Sequence, residues 1–422
     1  MARFRPFRGI RYAPDKAGDM QTVVAPPYDV IAPDARDAML AANPLNVTRL
    51  ILNPDSHDEA ARTFGDWLSD GTLRRDDAPA FYLYAQEFES SGPRRRVGVL
   101  GALHLEPFST GVVLRHETTF AHHKQDRLEL TRRARANLSP IFGVFSNPEF
   151  DPRPDGGWDS DADIDVVYEG VRHRVWTIRD ADSIATIRAA IADRKIYIAD
   201  GHHRYETALN YWAEREPGQS LPEGDDAPDD DAAPQAHVLA FLAATEDPGM
   251  VILPTHREVK SSGGADHATW EAAMADGFEL RTFDTGDEGR AALLGALAAV
   301  GPDTHGFAVA LRDRPHHLLL TKAVDGNDPS PLAALDVTQL HDELLGRGLE
   351  RAGGKDPQLA YSIDGDALLA RVEEGELEAA FVMNATRAEQ MAAVCEAGEL
   401  MPQKSTYFFP KLLTGLAFHS LG

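Results

Sequence analysis

The run Ile196-Tyr197-Ile198-Ala199-Asp200-Gly201-His202-His203-Arg204-Tyr205-Glu206-Thr207-Ala208-Leu209 constrains this chain more than any other. An apolar, β-favouring segment ends in Asp-Gly, and three cation-capable side chains follow at once. Tyr205, Leu209 and Trp212 then recur at helical spacing, so a strand is expected to turn directly into a helix. Such a junction offers free backbone N–H groups and the positive end of a helix dipole, which suit a phosphate or carboxylate. Arg204 can add a two-pronged contact to the same anion. Basic residues are disfavoured at a helix N-terminus, where acidic ones are preferred, and local rules are broken most often at functional sites. The plain alternative is an Asp-Gly turn whose His and Arg only face solvent.

Composition narrows the partners. At 422 residues the chain is long enough for two or three domains, and 43% hydrophobic with 26% charged residues is an ordinary globular balance. The net charge of −25 is not ordinary, and it argues against a nucleic-acid partner, because a phosphate backbone would be repelled. The single cysteine, Cys395, excludes an intramolecular disulfide and any multi-cysteine metal site, and its helical context suggests core packing. No apolar run approaches membrane-spanning length and the N-terminus has no signal-peptide core, so no membrane partner and a cytoplasmic location are expected.

The pattern of elements predicts an α+β (mixed α/β) chain in three segments: 1–150, 151–260 and 261–422. In the first, strands are expected at Phe7–Tyr12, Val23–Ala25 and Val47–Leu52, and helices at 33–40 and 57–68. The second of these helices should turn Ala61, Phe64 and Leu68 to the core. Ala80–Phe88 and Arg95–Leu105 read as a strand pair around a Ser-Ser-Gly-Pro turn. The central segment carries the Asp-Gly-His-His-Arg motif and an acidic stretch, 217–236, expected to be a flexible insertion. The last segment alternates helices and strands as a separate α+β lobe.

Other patches concentrate reactive side chains. Residues 116–127 hold His116, Glu117, His122, His123, Lys124, Asp126 and Arg127, without the spacing of a zinc protease. An apolar run ends at Pro254-Thr255-His256-Arg257, and strand ends are where α/β sites place their chemistry. Met401-Pro402-Gln403-Lys404-Ser405-Thr406 has a Lys-Ser-Thr turn without the glycine-rich loop of a P-loop. Lys404 and Lys411 are two of the chain's few lysines. Ala25-Pro26-Pro27-Tyr28-Asp29-Val30 reads as a rigid structural corner.

Together these motifs resemble the bacterial and archaeal domain-of-unknown-function family 1015 over essentially the whole chain. The landmarks are 24–30, His116-Glu117-x-Thr119, Lys124-x-Asp126-Arg127, Ser139-Pro140-Ile141, 199–205, 253–257 and Met401-Pro402-x-Lys404-Ser405-Thr406. The stretch about 183–213 also resembles the ParB/sulfiredoxin-like superfamily, which implies a ParB/sulfiredoxin-like central unit with additional α+β lobes. Sulfiredoxin's motif, Gly-Cys-His-Arg-Tyr-Glu, would put its catalytic cysteine at His202, so sulfinic-acid reduction is not implied. Phosphate binding by His203, Arg204 and the local backbone is.

Relatives in that superfamily include kinases of free serine, and the resemblance implies phosphoryl chemistry on serine or phosphoserine. On this reading Gly201, His203, Arg204, Arg127, Arg257, Lys404 and Ser405 bind phosphate. His202, His203 or His116, with Glu117 and Asp126, would supply acid–base catalysis. Asp200 and Glu117 are candidate ligands for Mg²⁺, and ADP or ATP a candidate cofactor. Two alternatives stay open. One is a non-catalytic regulatory protein binding ATP, ADP or CTP. The other is a metal-dependent hydrolase built on His116, His122, His123, His202 and His203.

Overall fold

The computed structural model describes residues 1–118, 121–222 and 233–422, the side chains of 121–123 excepted. Thr119, the side chains of His122 and His123, and half of the acidic stretch 217–236 (223–232) therefore lie outside the described residues. The protein is a mixed α+β chain that groups into two compact units. The first comprises Met1–Arg115, Thr119–Val251 and Pro410–Gly422, and the second His116–Thr118 and Ile252–Phe409. The expected segments 1–150 and 151–260 fall almost wholly in the first unit, which also takes back the last thirteen residues, 410–422.

The first unit is built on one large sheet. Its strands are β1 (Phe81–Glu89), β2 (Pro93–His104), β3 (Val113–Leu114), β4 (Ile141–Phe145), β5 (Ile164–Tyr168), β6 (Val171–Ile178), β7 (Ile196–Asp200) and β8 (His237–Ala244). They lie in the order β3-β7-β4-β8-β2-β1-β6-β5, with the short strand Phe4–Arg5 added beside β2. Pairing is antiparallel except for β7 with β3 and β8 with β4. Every residue of β4 and β8 is buried, as expected for strands covered on both faces.

Four helices matter for the site: α1 (His57–Ser69), α2 (Ala121–Ala134), α3 (Ala181–Ala192) and α4 (His202–Arg215). Helix α4 lays Tyr205, Ala208 and Trp212 onto the sheet core beside Ile196 and Ile198. Helix α1 starts at Ser56, whose hydroxyl accepts the Glu59 N–H at 3.1 Å.

Two local expectations fail for identifiable reasons. The strand expected over Val47–Leu52 is a helical turn, Thr48–Ile51. The Asn46 side chain accepts both the Thr48 N–H and its hydroxyl, at 2.9 and 2.7 Å, and this local cap outweighs the β preference of the run. In α1 the buried stripe is Ala60, Phe64 and Trp67 rather than Ala61, Phe64 and Leu68. The larger Trp67 takes the inward position against Tyr12 and leaves Leu68 exposed. Of the strand expected at Val23–Ala25, only Ala25 pairs, as an isolated bridge to Thr414.

The second unit carries an antiparallel sheet of β9 (His256–Ser261), β10 (Glu279–Phe283), β11 (Thr304–Leu311), β12 (His317–Ala323), β13 (Gln358–Ser362) and β14 (Ala379–Met383). The order is β10-β12-β11-β14-β9-β13. Helices α5 (His267–Ala275), α6 (Asp287–Ala298), α7 (Gly365–Glu373) and α8 (Ala388–Glu396) belong to the same unit. Leu293 and Leu297 of α6 and Leu368, Leu369 and Val372 of α7 form its core with the sheet. Cys395 is buried in α8, as its helical context suggested. Among the described residues no helix is long and apolar enough to cross a membrane.

Candidate functional site

The strand–turn–helix of the first unit forms as its sequence required. Strand β7 is buried to Ala199, and Asp200 emerges at its end. Gly201 has φ 92°, a conformation other residues rarely adopt, and a Cβ there would lie 3.0 Å from the Arg204 guanidinium. Glycine is therefore needed both for the turn and for the room it leaves. Helix α4 starts at His202 with no acidic residue in its first turn.

The Asp200 carboxylate is clamped. Arg204 Nη2 donates to Oδ2 at 2.7 Å, and Lys411 Nζ donates to Oδ1 at 3.2 Å. Burial pushes this carboxyl's pKa up, but the Lys411 and Arg204 charges outweigh it and hold the group well below the usual range. Arg204 and Lys411 thus both pair with Asp200 at the start of α4. Arg204 also donates to the Pro140 carbonyl. Two of its five N–H groups are thus engaged among the described residues.

Lys411 is delivered by a buried polar frame. Arg96, fully buried, donates to the Gln86 side chain and to the Pro410 carbonyl. Gln86 Nε2 donates to the Lys411 carbonyl at 2.9 Å, and Tyr84 Oη accepts the Leu413 N–H at 3.3 Å. The chain's scarcity of lysine was the one available signal for Lys411, and it did not single this residue out.

Helix α2 adds a second guanidinium. Arg127 donates to Asp126 and to the Ile51 carbonyl, and lies 4.3 Å over the Tyr28 ring. Asp126 also pairs with His57 Nε2 at 3.1 Å. Burial would raise the Asp126 pKa, yet Arg127 and His57 keep it below the usual carboxylate range. Its visible work is to anchor Arg127. Arg127 and Arg204 line a single cavity of about 50 Å³ with Tyr28, Ser139 and Thr207. Tyr28, Arg127, Ser139 and Arg204 come from four different sequence motifs. Tyr28, read from sequence as part of a structural corner, thus belongs to the site. Burial and Asp29 push its hydroxyl pKa up to about 12, so it stays protonated. His202 is buried beside Asp200, and His203 is half-buried.

The remaining expected residues belong to the second unit. His116 is fully buried and its Nε2 lies 3.0 Å from the Thr406 hydroxyl. The Glu117 carboxylate is 3.4 Å from the Lys404 N–H. Arg257, also fully buried, donates to the carbonyls of Thr255, Gln403 (3.2 Å) and Lys404 (3.3 Å), and to His341 Nε2. It holds the 403–404 turn. The Ser405 hydroxyl is buried and donates to the Pro402 carbonyl, while Lys404 is exposed with φ 55°.

The expected residues therefore assemble as two groups, one per unit. Asp200, Gly201, His202, His203, Arg204, Asp126 and Arg127 form the first, and His116, Glu117, Arg257, Lys404 and Ser405 the second. The proposed Mg²⁺ ligands Asp200 and Glu117 fall in different units, and both oxygens of Asp200 already hold cations. Among the described residues no three His, Cys, Asp or Glu side chains gather as a metal site. Asp200, with both oxygens paired to cations, does not fit Mg²⁺, and no chemical step is routed through it.

The class that emerges is an α+β protein in which a strand–turn–helix at the end of a sheet strand holds Asp200 between Arg204 and Lys411. The chain belongs to the family described as Protein of unknown function (DUF1015), which matches residues 4–338. No curated protein matches it in sequence. Among solved structures it is similar to a free serine kinase in complex with AMP, at 10% identity and TM-score 0.35, over 74% of this chain and 86% of that one. It is also similar to a conserved hypothetical protein from Pyrococcus furiosus, at 13% identity and TM-score 0.33, over 75% and 92% of the two chains. A third likeness is to SbnI with a C-terminal truncation from Staphylococcus aureus, at 9% identity and TM-score 0.34, over 75% and 85%.

Proposed function

We propose that the protein is an enzyme of phosphoryl transfer or phosphate-ester hydrolysis acting on a small phosphorylated metabolite, with phosphoserine or serine as first candidate. The observation that carries this reading is the Asp200 carboxylate clamped between Arg204 and Lys411 where β7 turns into α4. Phosphoryl transfer is mainly positioning and charge stabilisation, and this arrangement supplies both. The backbone at Gly201 and the first turn of α4, with His203 and the remaining N–H groups of Arg204, bind the phosphate. Asp200 keeps the two cations in place before the anion arrives. His202, next to Asp200, takes or gives the proton at the reacting oxygen. ADP or ATP is the natural second substrate of the kinase form of this reading.

The test is phosphorus NMR of the purified protein with phosphoserine and Mg²⁺ in the buffer, with and without ADP. Phosphate release without nucleotide identifies a phosphatase, and ATP formed from ADP identifies a reversible kinase. If neither spectrum changes, and an Arg204→Met protein binds phosphoserine as well as the unmodified one, the reading fails. A nucleotide that binds tightly without turnover would replace it with a regulatory role.

A further inference from the structure

Helix α4 carries a second bridged carboxylate one turn along from its start. Glu206 accepts a hydrogen bond from Arg115 Nη1 on one oxygen, at 2.6 Å, and from Lys124 Nζ on the other, at 2.7 Å. The pattern repeats the one at Asp200, where an arginine and a lysine also share a carboxylate. Arg115 follows directly on β3, which runs parallel to β7, so both strands leave the sheet at the same end. Lys124 lies three residues before Arg127 on α2, and Glu206 three after His203 on α4, spacings that set each pair side by side on its helix. A helical side chain leans towards the N-terminus of its helix, which carries the Glu206 carboxylate over the first turn of α4. The glutamate is covered and its cations are not. The Glu206 side chain is 11% exposed, and those of Arg115 and Lys124 are 34% and 27% exposed. Among the described residues each cation makes one hydrogen bond, that to Glu206, while Arg115 also lies 4.7 Å over the Phe108 ring. Covering a carboxylate to hold two part-exposed cations adds little stability, and an apolar side chain would pack there at lower cost. What the arrangement does achieve is to fix where the two cations stand.

We propose that Arg115 and Lys124 form a second anion subsite, with Glu206 as its positioning residue. It receives the second anionic group of a ligand whose phosphate lies at the start of α4. The subsite rests on the phosphate site proposed above and adds to it a class of ligand: a small molecule with two anionic groups, one of them a phosphate. The second group is either another phosphate, as in a diphosphate, or a carboxylate, as in phosphoserine. Both offer oxygens that accept from one guanidinium and one ammonium.

Calorimetric titration of the full chain without divalent cations tests it, using two pairs of probes. Inorganic phosphate is set against pyrophosphate, and phosphoethanolamine against phosphoserine. In at least one pair the probe with the second anionic group is expected to bind roughly 10-fold tighter, as one charge-assisted hydrogen bond provides. The pair that shows the preference tells whether the second group is a phosphate or a carboxylate. Arg115→Gln and Lys124→Gln keep a donor for Glu206 but remove a charge, and each should cut the preference to roughly 3-fold or less. Glu206→Gln keeps the shape, releases both cations and should lower the preference as well. Lys124→Arg, the conservative change, should retain it. Arg115→Met and Lys124→Met stand in if a glutamine variant does not fold. Phosphate that does not bind, or binds equally well to Arg204→Met, overturns the phosphate site and the subsite with it. Phosphate held through Arg204 with no preference in either pair, or with a preference that the charge-removing variants keep, overturns the subsite alone. A preference lost on changing Arg115 or Lys124 but kept by Glu206→Gln overturns the positioning role.

Discussion

Arg204 and Arg257 both follow an apolar strand-end motif, one in each unit, and their surroundings give them opposite jobs. Arg257 is fully buried and spends its donors on three backbone carbonyls and His341. Burial lowers its pKa to about 10, still charged at neutral pH. Arg204 reaches one carboxylate and one carbonyl and keeps donors in reserve beside a cavity. A guanidinium whose partners are backbone carbonyls fastens a turn. One that pairs with a carboxylate shared with Lys411 and with one carbonyl fits the ligand-binding role proposed for Arg204.

The sharpest contrast between the units is expected in acid. In the first, His104 is lowered to about 4 by burial and then Arg3, and His173 to about 3 by burial and then Arg96. His419 is lowered to about 3, and His237 well below its usual value, in both cases by burial first and then Arg5. The second unit holds His256 and His341 down to about 4 by burial and then Arg257. These depressed histidines number four in the first unit and two in the second. A histidine whose folded pKa is depressed costs nothing above the unfolded value near 6.5. It drains stability as pH falls from there towards the folded pKa, because the unfolded chain binds the proton first. Hydrogen exchange between pH 7 and 4 should therefore show the first unit opening at higher pH than the second. Equal or reversed order would break the comparison.

Arg257→Met should destabilise the second unit by about 3 kcal/mol, since it strands buried carbonyls, whereas Arg204→Met should cost about 1 kcal/mol and act on ligand binding. Urea unfolding of the two variants decides this, and equal losses would erase the distinction drawn between the arginines. Gly201→Ala should cost about 1–3 kcal/mol through its left-handed backbone, and its Cβ should also push the Arg204 guanidinium off Asp200. The smallest effect is in the second unit. Lys404 has φ 55° and an exposed side chain, so Lys404→Gly should raise the melting temperature by the few degrees that about 1 kcal/mol represents.

Much of the fold could be read residue by residue. The Asp-Gly turn, the strand before it and the helix after it follow from local pattern, as do the β1–β2 hairpin and the alternation of the second unit. Val47–Leu52 could not be read this way, because the deciding contact is a side-chain cap from Asn46, which also donates to the carbonyls of Thr22 and Val24. The site was half legible. Arg204 and Arg127 stood out by type and company. Lys411 and Tyr28 lie 211 and 176 residues from Asp200 and Arg204 in the numbering, and their neighbourhoods in sequence say nothing of that meeting.

What the sequence determined by itself was chemistry that depends on neighbours along the chain. That covers the left-handed glycine between Asp200 and His202, the basic first turn of α4, the acidic surplus, and the absence of an intramolecular disulfide. Tertiary structure alone decided which sequence-distant groups meet, as Lys411 does Asp200. The folding of 410–422 back into the first unit carries Lys411 to Asp200, and the seating of 252–409 in a unit of its own gives Arg257 to a turn instead. The physical reason is that ion pairing and burial depend on distance in space, which strand order and loop closure set, while turn and cap preferences are spent within a few residues.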